Sequence, residues 1–139
     1  MLNDCIFCKI IAGDIPSHKV YEDERLLAIL DVFPTTRGHV LILPKAHARD
    51  FFDLPAETAA AILPVAQALA GRIRAAFQPD GLNVIQNNGA AAGQSVFHYH
   101  MHLIPRWEGD DAVRQGKPMT VTAEDLAEFA AMIQLKNIE

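Results

Sequence analysis

The chain has 139 residues, half of them apolar and 21% charged, with a formal net charge of −5 and two cysteines. That balance suits one compact domain over 1–139. It argues against a disordered chain and against a broad basic surface for polymeric nucleic acid, and it needs no disulfide support. The apolar runs read as too short to cross a bilayer and MLNDC lacks the regions of a secretion signal, so a cytoplasmic protein with no membrane partner is expected.

Helical spacing in NDCIFCKIIAG predicts a short helix from Asp4 to Ile11, stopped by Gly13, with Cys5 and Cys8 on one face. Val20 and Tyr21, the charged turn Glu22 to Glu24 and the run Leu26 to Val32 read as a hairpin, and Pro34 to Gly38 as a turn. The aliphatic run Val40 to Leu43, closed by Pro44, predicts a strand covered on both faces, opened by His39 and followed by His47. Pro55 to Phe77 has the pattern of a long helix, with Pro55 in its first turn and a bend at Pro64. Leu82 to Gln86 reads as a strand and the small residues from Asn87 to Gln94 as a loop. The last strand is SVFHYHMHLIP, Ser95 to Pro105. Residues 108–139 form a tail, with a mobile polar stretch from Glu108 to Pro118 and a helix from Thr122, capped through Asp125, to about Leu135.

Half of the six histidines, His98, His100 and His102, occupy alternate positions in that last strand. In a helix such neighbours would diverge, but in a strand they share one face, with Val96 and Ile104, while Phe97, Tyr99, Met101 and Leu103 face the other way. Chance clustering is one reading, but three imidazoles together repel if charged and need partners if buried. A second reading is three ligands of a catalytic metal, although a straight strand makes their convergence strained. A third divides the labour, with one nucleophile and neighbours that orient it and bind charge. The C-x-x-C pair, Cys5 and Cys8, suggests metal binding or redox chemistry. His18 is expected only to face solvent, and Arg106 and Trp107 to pack at a subunit contact or lie exposed.

H-Y-H-M-H-L-I after G-Q-S resembles the signature of the histidine triad (HIT) family of nucleotide hydrolases and transferases. I-F-C-K-I-I, the L-D ending at Asp31, G-H-V-L-I-L-P-K-A-H and L-N-V-I-Q-N-N-G occur in the family's order. The resemblance implies an α+β fold with a five-stranded antiparallel sheet, a long central helix, a short N-terminal helix and a C-terminal helix, joined into a homodimer. It is closest to the Hint-like branch, which cleaves purine nucleoside phosphoramidates and adenylates. The L-I-P-R after the triad looks more like the dinucleoside polyphosphate hydrolases, which leaves the leaving group open. A nucleotide-binding or protein-interaction module is the rival from another class.

By this resemblance His100 is the nucleophile that forms a nucleotidyl intermediate, its other nitrogen held by a backbone carbonyl beside the first histidine. His102 and His39 bind the α-phosphate oxygens, Ser95 stands near the leaving group, and Gln94 and Asn87 contact the phosphate. Asp31 accepts from the ribose hydroxyls, although by itself it reads as a turn residue. Ile6, Phe7, Ile10 and Leu41 form the sleeve around an AMP-type or GMP-type base; read alone they are core. Bacterial-type members with the C-x-x-C pair bind a structural zinc, here implying Cys5, Cys8, His47 and His98, a donor set with no open position.

Overall fold

The computed structural model describes residues 3–114, 116–136 and 138. Five strands, β1 (Lys19–Glu22), β2 (Leu26–Leu30), β3 (Val40–Pro44), β4 (Gly81–Ile85) and β5 (Met101–Arg106), form one antiparallel sheet in the order β1-β2-β3-β5-β4. Three α-helices, α1 (Ile6–Ala12), α2 (Ala56–Phe77) and α3 (Ala123–Ile133), complete the expected α+β architecture.

Strand alternation divides the core into two layers. Leu26, Ala28, Val40, Ile42, Met101 and Leu103 face α2, whose stripe Ile62, Ala66, Leu69 and Ile73 covers them. Leu27, Ile29, Leu41 and Leu43 face the other way, against Phe7, Cys8 and Ile10 of α1. Leu26, Ile42, Leu43 and Leu103 are fully buried, and burial of each such side chain stabilises the fold by about 1.5–3 kcal/mol.

Helix α1 starts two residues later than expected, because Cys5 is its N-cap and accepts from the Cys8 amide. Gly13 closes it at φ 88°, a left-handed conformation that glycine adopts without strain. Pro55 is the N-cap of α2 rather than part of its first turn, and the helix runs on through Pro64. Contrary to the expectation from apolar runs, α2 is long and apolar enough for a bilayer by length and composition, with mean hydropathy 1.2. Its inner stripe nevertheless packs on the sheet as a core helix does.

Two further boundaries differ from expectation. The first part of the stretch expected to be mobile is tied down as far as Ala112: Asp110 accepts from the Arg106 guanidinium and from the amides of Trp107 and Ala112, and Glu108 N–H donates to Asp80. The guanidinium holds the Asp110 carboxyl below the usual carboxylate range. Arg106 also donates to Asn83 at 2.8 Å, so its donors are used within the chain. Helix α3 has the expected Thr122–Asp125 capping box, ends at Ile133, and buries none of its residues.

Candidate functional site

The histidine segment is only partly a regular strand. Pairing of β5 with β3 covers Met101 to Leu103, so His98 and His100 lie in a lead-in that bends at Val96 to His98 rather than in the strand expected from Ser95. The Tyr99 amide donates to Ala48 O at 2.7 Å, which continues the same side of the ladder past the end of β3. Alternation therefore persists from Tyr99 on, whereas Phe97, expected on the same face as Tyr99, is 38% exposed beside Ser95 and Val96 because the chain bends there. Tyr99 joins Met101 and Leu103 under α2, while the three imidazoles emerge on the α1 face.

Hydrogen bonds give each ring a definite tautomer. His100 Nδ1 lies 2.7 Å from His98 O, an acceptor only, so Nδ1 carries the proton and Nε2 keeps its lone pair. His39 Nδ1 accepts from the Thr35 amide at 3.0 Å, which puts its proton on Nε2. That Nε2 is 2.8 Å from His102 Nδ1, and donation to it leaves the His102 proton on Nε2. Asp31 Oδ2, 3.6 Å from His39 Nε2, stands behind this relay. The lone pair of His100 and the N–H of His102 are thus presented side by side, with ring centroids 5.0 Å apart.

Burial depresses all of these histidines and keeps them neutral. His102 is pushed down to about 4 by burial first and by His100 and His39 beside it, with Asp31 pulling the other way. His100 and His39 are lowered for the same first reason; the His98 carbonyl opposes the shift at His100 and Asp31 opposes it at both. A neutral imidazole is the nucleophilic form.

His100 and His102 open into a cavity of about 350 Å³ between α1 and the sheet. Of the expected residues, Ile6, Phe7, Ile10 and Leu41 form its apolar wall, and Asp31 and Ser95 also line it. His39 is placed behind His102 rather than in the lining, acting through that ring. Gln94 and Asn87 are not brought into the cavity. The buried Gln94 carboxamide accepts from Gly89 N and donates to Arg49 O and Val96 O, so its bonding capacity holds the loop. Asn87 packs its side chain near Gly93. Ile15, Pro16, Ser17, Val32 and Phe33 were missed as lining residues; hydropathy pattern carries no signal for a wall built from two turns. His18 is exposed, as expected.

Cys5, Cys8, His47 and His98 form a separate cluster whose ligand atoms lie within 4.8 Å of one another. His98 Nε2 is 2.7 Å from Pro44 O and carries the proton, so Nδ1 faces the cluster with its lone pair. This Nδ1 is 3.4 Å from Cys5 Sγ, 3.6 Å from Cys8 Sγ and 3.1 Å from His47 Nδ1, and Cys8 Sγ is 3.4 Å from His47 Nδ1. A tetrahedral zinc with usual bond lengths has S···N edges of about 3.5 Å and N···N edges of about 3.3 Å, so the donor set fits such an ion. Burial first, and Cys8 beside it, raises the Cys5 thiol; burial first, with His47 and His100, pushes His98 down to about 4 against the Pro44 carbonyl, so a cation would draw a thiolate onto a preformed neutral imidazole.

Residues 12–109 match the HIT domain. The chain belongs to this family. A crystal structure of a HIT family member from Bacillus subtilis has TM-score 0.90 at 45% identity, covering 98% of this chain and 100% of that one. A Zn-bound histidine triad family protein from Mycobacterium smegmatis has TM-score 0.75 at 44% identity, covering 84% of each chain. Adenylylsulfatase HINT3 of Arabidopsis thaliana is 46% identical over 108 residues, which are 78% of this chain and 55% of that protein. The HIT fold expected from the motifs is thus the observed one.

Proposed function

We propose that the chain is a nucleotide hydrolase or transferase that cuts the bond between the α-phosphate of a purine nucleoside monophosphate and its leaving group. The observation that carries this reading is the 2.7 Å bond from His100 Nδ1 to His98 O, which aims the Nε2 lone pair into a cavity walled by apolar side chains. The apolar wall takes the base, and Asp31 accepts from the ribose hydroxyls. Nε2 forms the N–P bond as the bond from phosphorus to the leaving group breaks. The departing atom takes the proton of the Ser95 hydroxyl. Water then attacks phosphorus, gives one proton back to Ser95, releases the nucleoside monophosphate and restores neutral His100. His102 N–H, aligned by His39, offsets charge on the phosphoryl oxygens in both steps. The enzymatic name of the Arabidopsis relative supports the reaction class.

The same proposal assigns zinc to Cys5, Cys8, His47 and His98, supported by the edge lengths above and the Zn-bound relative. Zinc there supplies a structural tie between α1, the segment after β3 and the lead-in to β5. A homodimer through β4 belongs to the proposal too. That edge, GLNVI, carries no charge and exposes Leu82 and Val84, whereas the opposite edge β1 carries the paired charges Lys19 and Glu22. A cytoplasmic location, where thiols stay reduced, completes it.

Quenching in alkaline denaturant during turnover of adenosine 5′-phosphoramidate, followed by peptide mass spectrometry without acid, is expected to find adenylate on His100. His100→Ala should show no adduct and lose more than about a thousandfold in kcat, the range for removing a covalent nucleophile. Full turnover by that variant, or tight AMP binding without turnover of any phosphoramidate or adenylate by the native protein, would refute the mechanism.

A further inference from the structure

A second cavity, of about 640 Å³, adjoins the first. Arg49, Phe97 and His47 line it, and it shares Ile6, Ser95 and Val96 with the cavity that contains His100 and His102. The two spaces therefore adjoin at Ser95. In the reaction proposed above, the base fills the apolar cavity and the phosphorus sits at His100. In-line displacement then sends the leaving group away from His100 Nε2, on the Ser95 side. Beyond Ser95 lies the second cavity.

Arg49 is held there by more than its own side chain. Its amide donates to Asp53 Oδ2 at 3.0 Å, its carbonyl accepts from the buried Gln94 at 2.8 Å, and its guanidinium carbon sits 4.5 Å from the centre of the Phe97 ring. The ring fixes the plane of the guanidinium and leaves its edge of donors for an acceptor. The ion pair with Asp50 is long, 3.9 Å through Nε, so it leaves the terminal nitrogens uncommitted. Asp4 also lines the cavity, so its positive end is local to Arg49. This gives the buried Gln94 a task that the nucleotide cavity does not: it anchors the residue that carries the cation.

We propose that the second cavity is the leaving-group subsite, and that Arg49, seated on Phe97, favours leaving groups bearing a carboxylate or other oxyanion a few bonds beyond the scissile linkage. This rests on the reaction proposed above. Arg49 is a specificity residue here and takes no part in the bond changes.

The test compares adenosine 5′-phosphoramidates of β-alanine, taurine and β-alaninamide, which differ in their terminal group. Because the amines differ in basicity, the informative quantity is how each anionic-to-neutral ratio of kcat/KM changes between the native protein and Arg49→Met, which keeps the apolar stem. That ratio is expected to fall about fivefold in the variant, the upper range for a partly exposed ion pair, with Arg49→Lys in between. Unchanged ratios for both anionic substrates would overturn the subsite. Loss for taurine alone, or for β-alanine alone, supports it and tells a tetrahedral from a planar oxyanion. Calorimetric binding of the same compounds to His100→Ala, with and without Arg49→Met, gives the ratio with no chemistry. Should the native protein turn over nothing, the reaction fails while this binding ratio still decides the subsite.

Discussion

Gly38 precedes His39 of the relay in a turn packed against Phe77, and its substitution tests that packing through stability. It adopts φ +85°, and a Cβ there would stand 2.8 and 2.9 Å from two ring atoms of Phe77, the last residue of α2. Left-handed backbone costs a residue with a Cβ about 1–2 kcal/mol, and forcing the ring aside costs about 1–3 kcal/mol more. Gly38→Ala is therefore expected to lose about 2–5 kcal/mol, which for a chain of this size lowers Tm by about 7–17 °C. Urea unfolding followed by tryptophan fluorescence and circular dichroism measures it. In a Phe77→Leu background the clash is relieved but the backbone strain is not, so the cost of Gly38→Ala should fall to about 1–2 kcal/mol. A cost under about 0.5 kcal/mol, the size of an ordinary surface substitution, or an equal cost in both backgrounds, would show that Phe77 does not confine this turn.

Acid should unfold the protein partly through the relay. His102 titrates near 4 when folded and near 6.5 when unfolded, so the unfolded chain binds more protons in that window and stability falls as pH drops through it. The slope from this one group is about 1.4 kcal/mol per pH unit, and urea midpoints at pH 7 and 5 should converge for His102→Gln relative to the native protein. Chelation at neutral pH is expected to release one zinc per chain, measured by elemental mass spectrometry. It should also speed proteolysis within 3–15 more than within α2; an unchanged digest would remove the structural tie. Thr122→Ala deletes a cap worth about 1 kcal/mol. Because α3 buries nothing, hydrogen exchange should quicken in α3 while the global urea midpoint stays put.

The fold was legible because its elements have strong local signatures. VLILP had to be a strand covered twice, and the stripe Ile62, Ala66, Leu69 and Ile73 had to face a sheet. The alternation of His98, His100 and His102 placed all three on one face even though β5 starts only at Met101, since the Tyr99–Ala48 bond extends the ladder. The four-residue cluster could not be read from spacing, because Cys5 and His98 are 93 positions apart and only the resemblance joined them. Gln94 was assigned to phosphate and proved to be internal: a carboxamide suits a ligand and a loop equally, and only its bond partners decide. The second cavity was invisible for a related reason. Its lining comes from three separate stretches, and no motif covers Arg49 or Phe97.

Strand β5 pairs with partners 19 and 63 residues earlier in the chain, Val84 with Leu103 and Val40 with Leu103. Closing the longer of these loops is entropically demanding, and such pairings form late. On a ribosome, nothing resembling the site can assemble until the segment beyond Arg106 has emerged. Newly made amino-terminal lengths of this protein therefore wait, catalytically silent, with β3 missing the neighbour that brings the histidines to it.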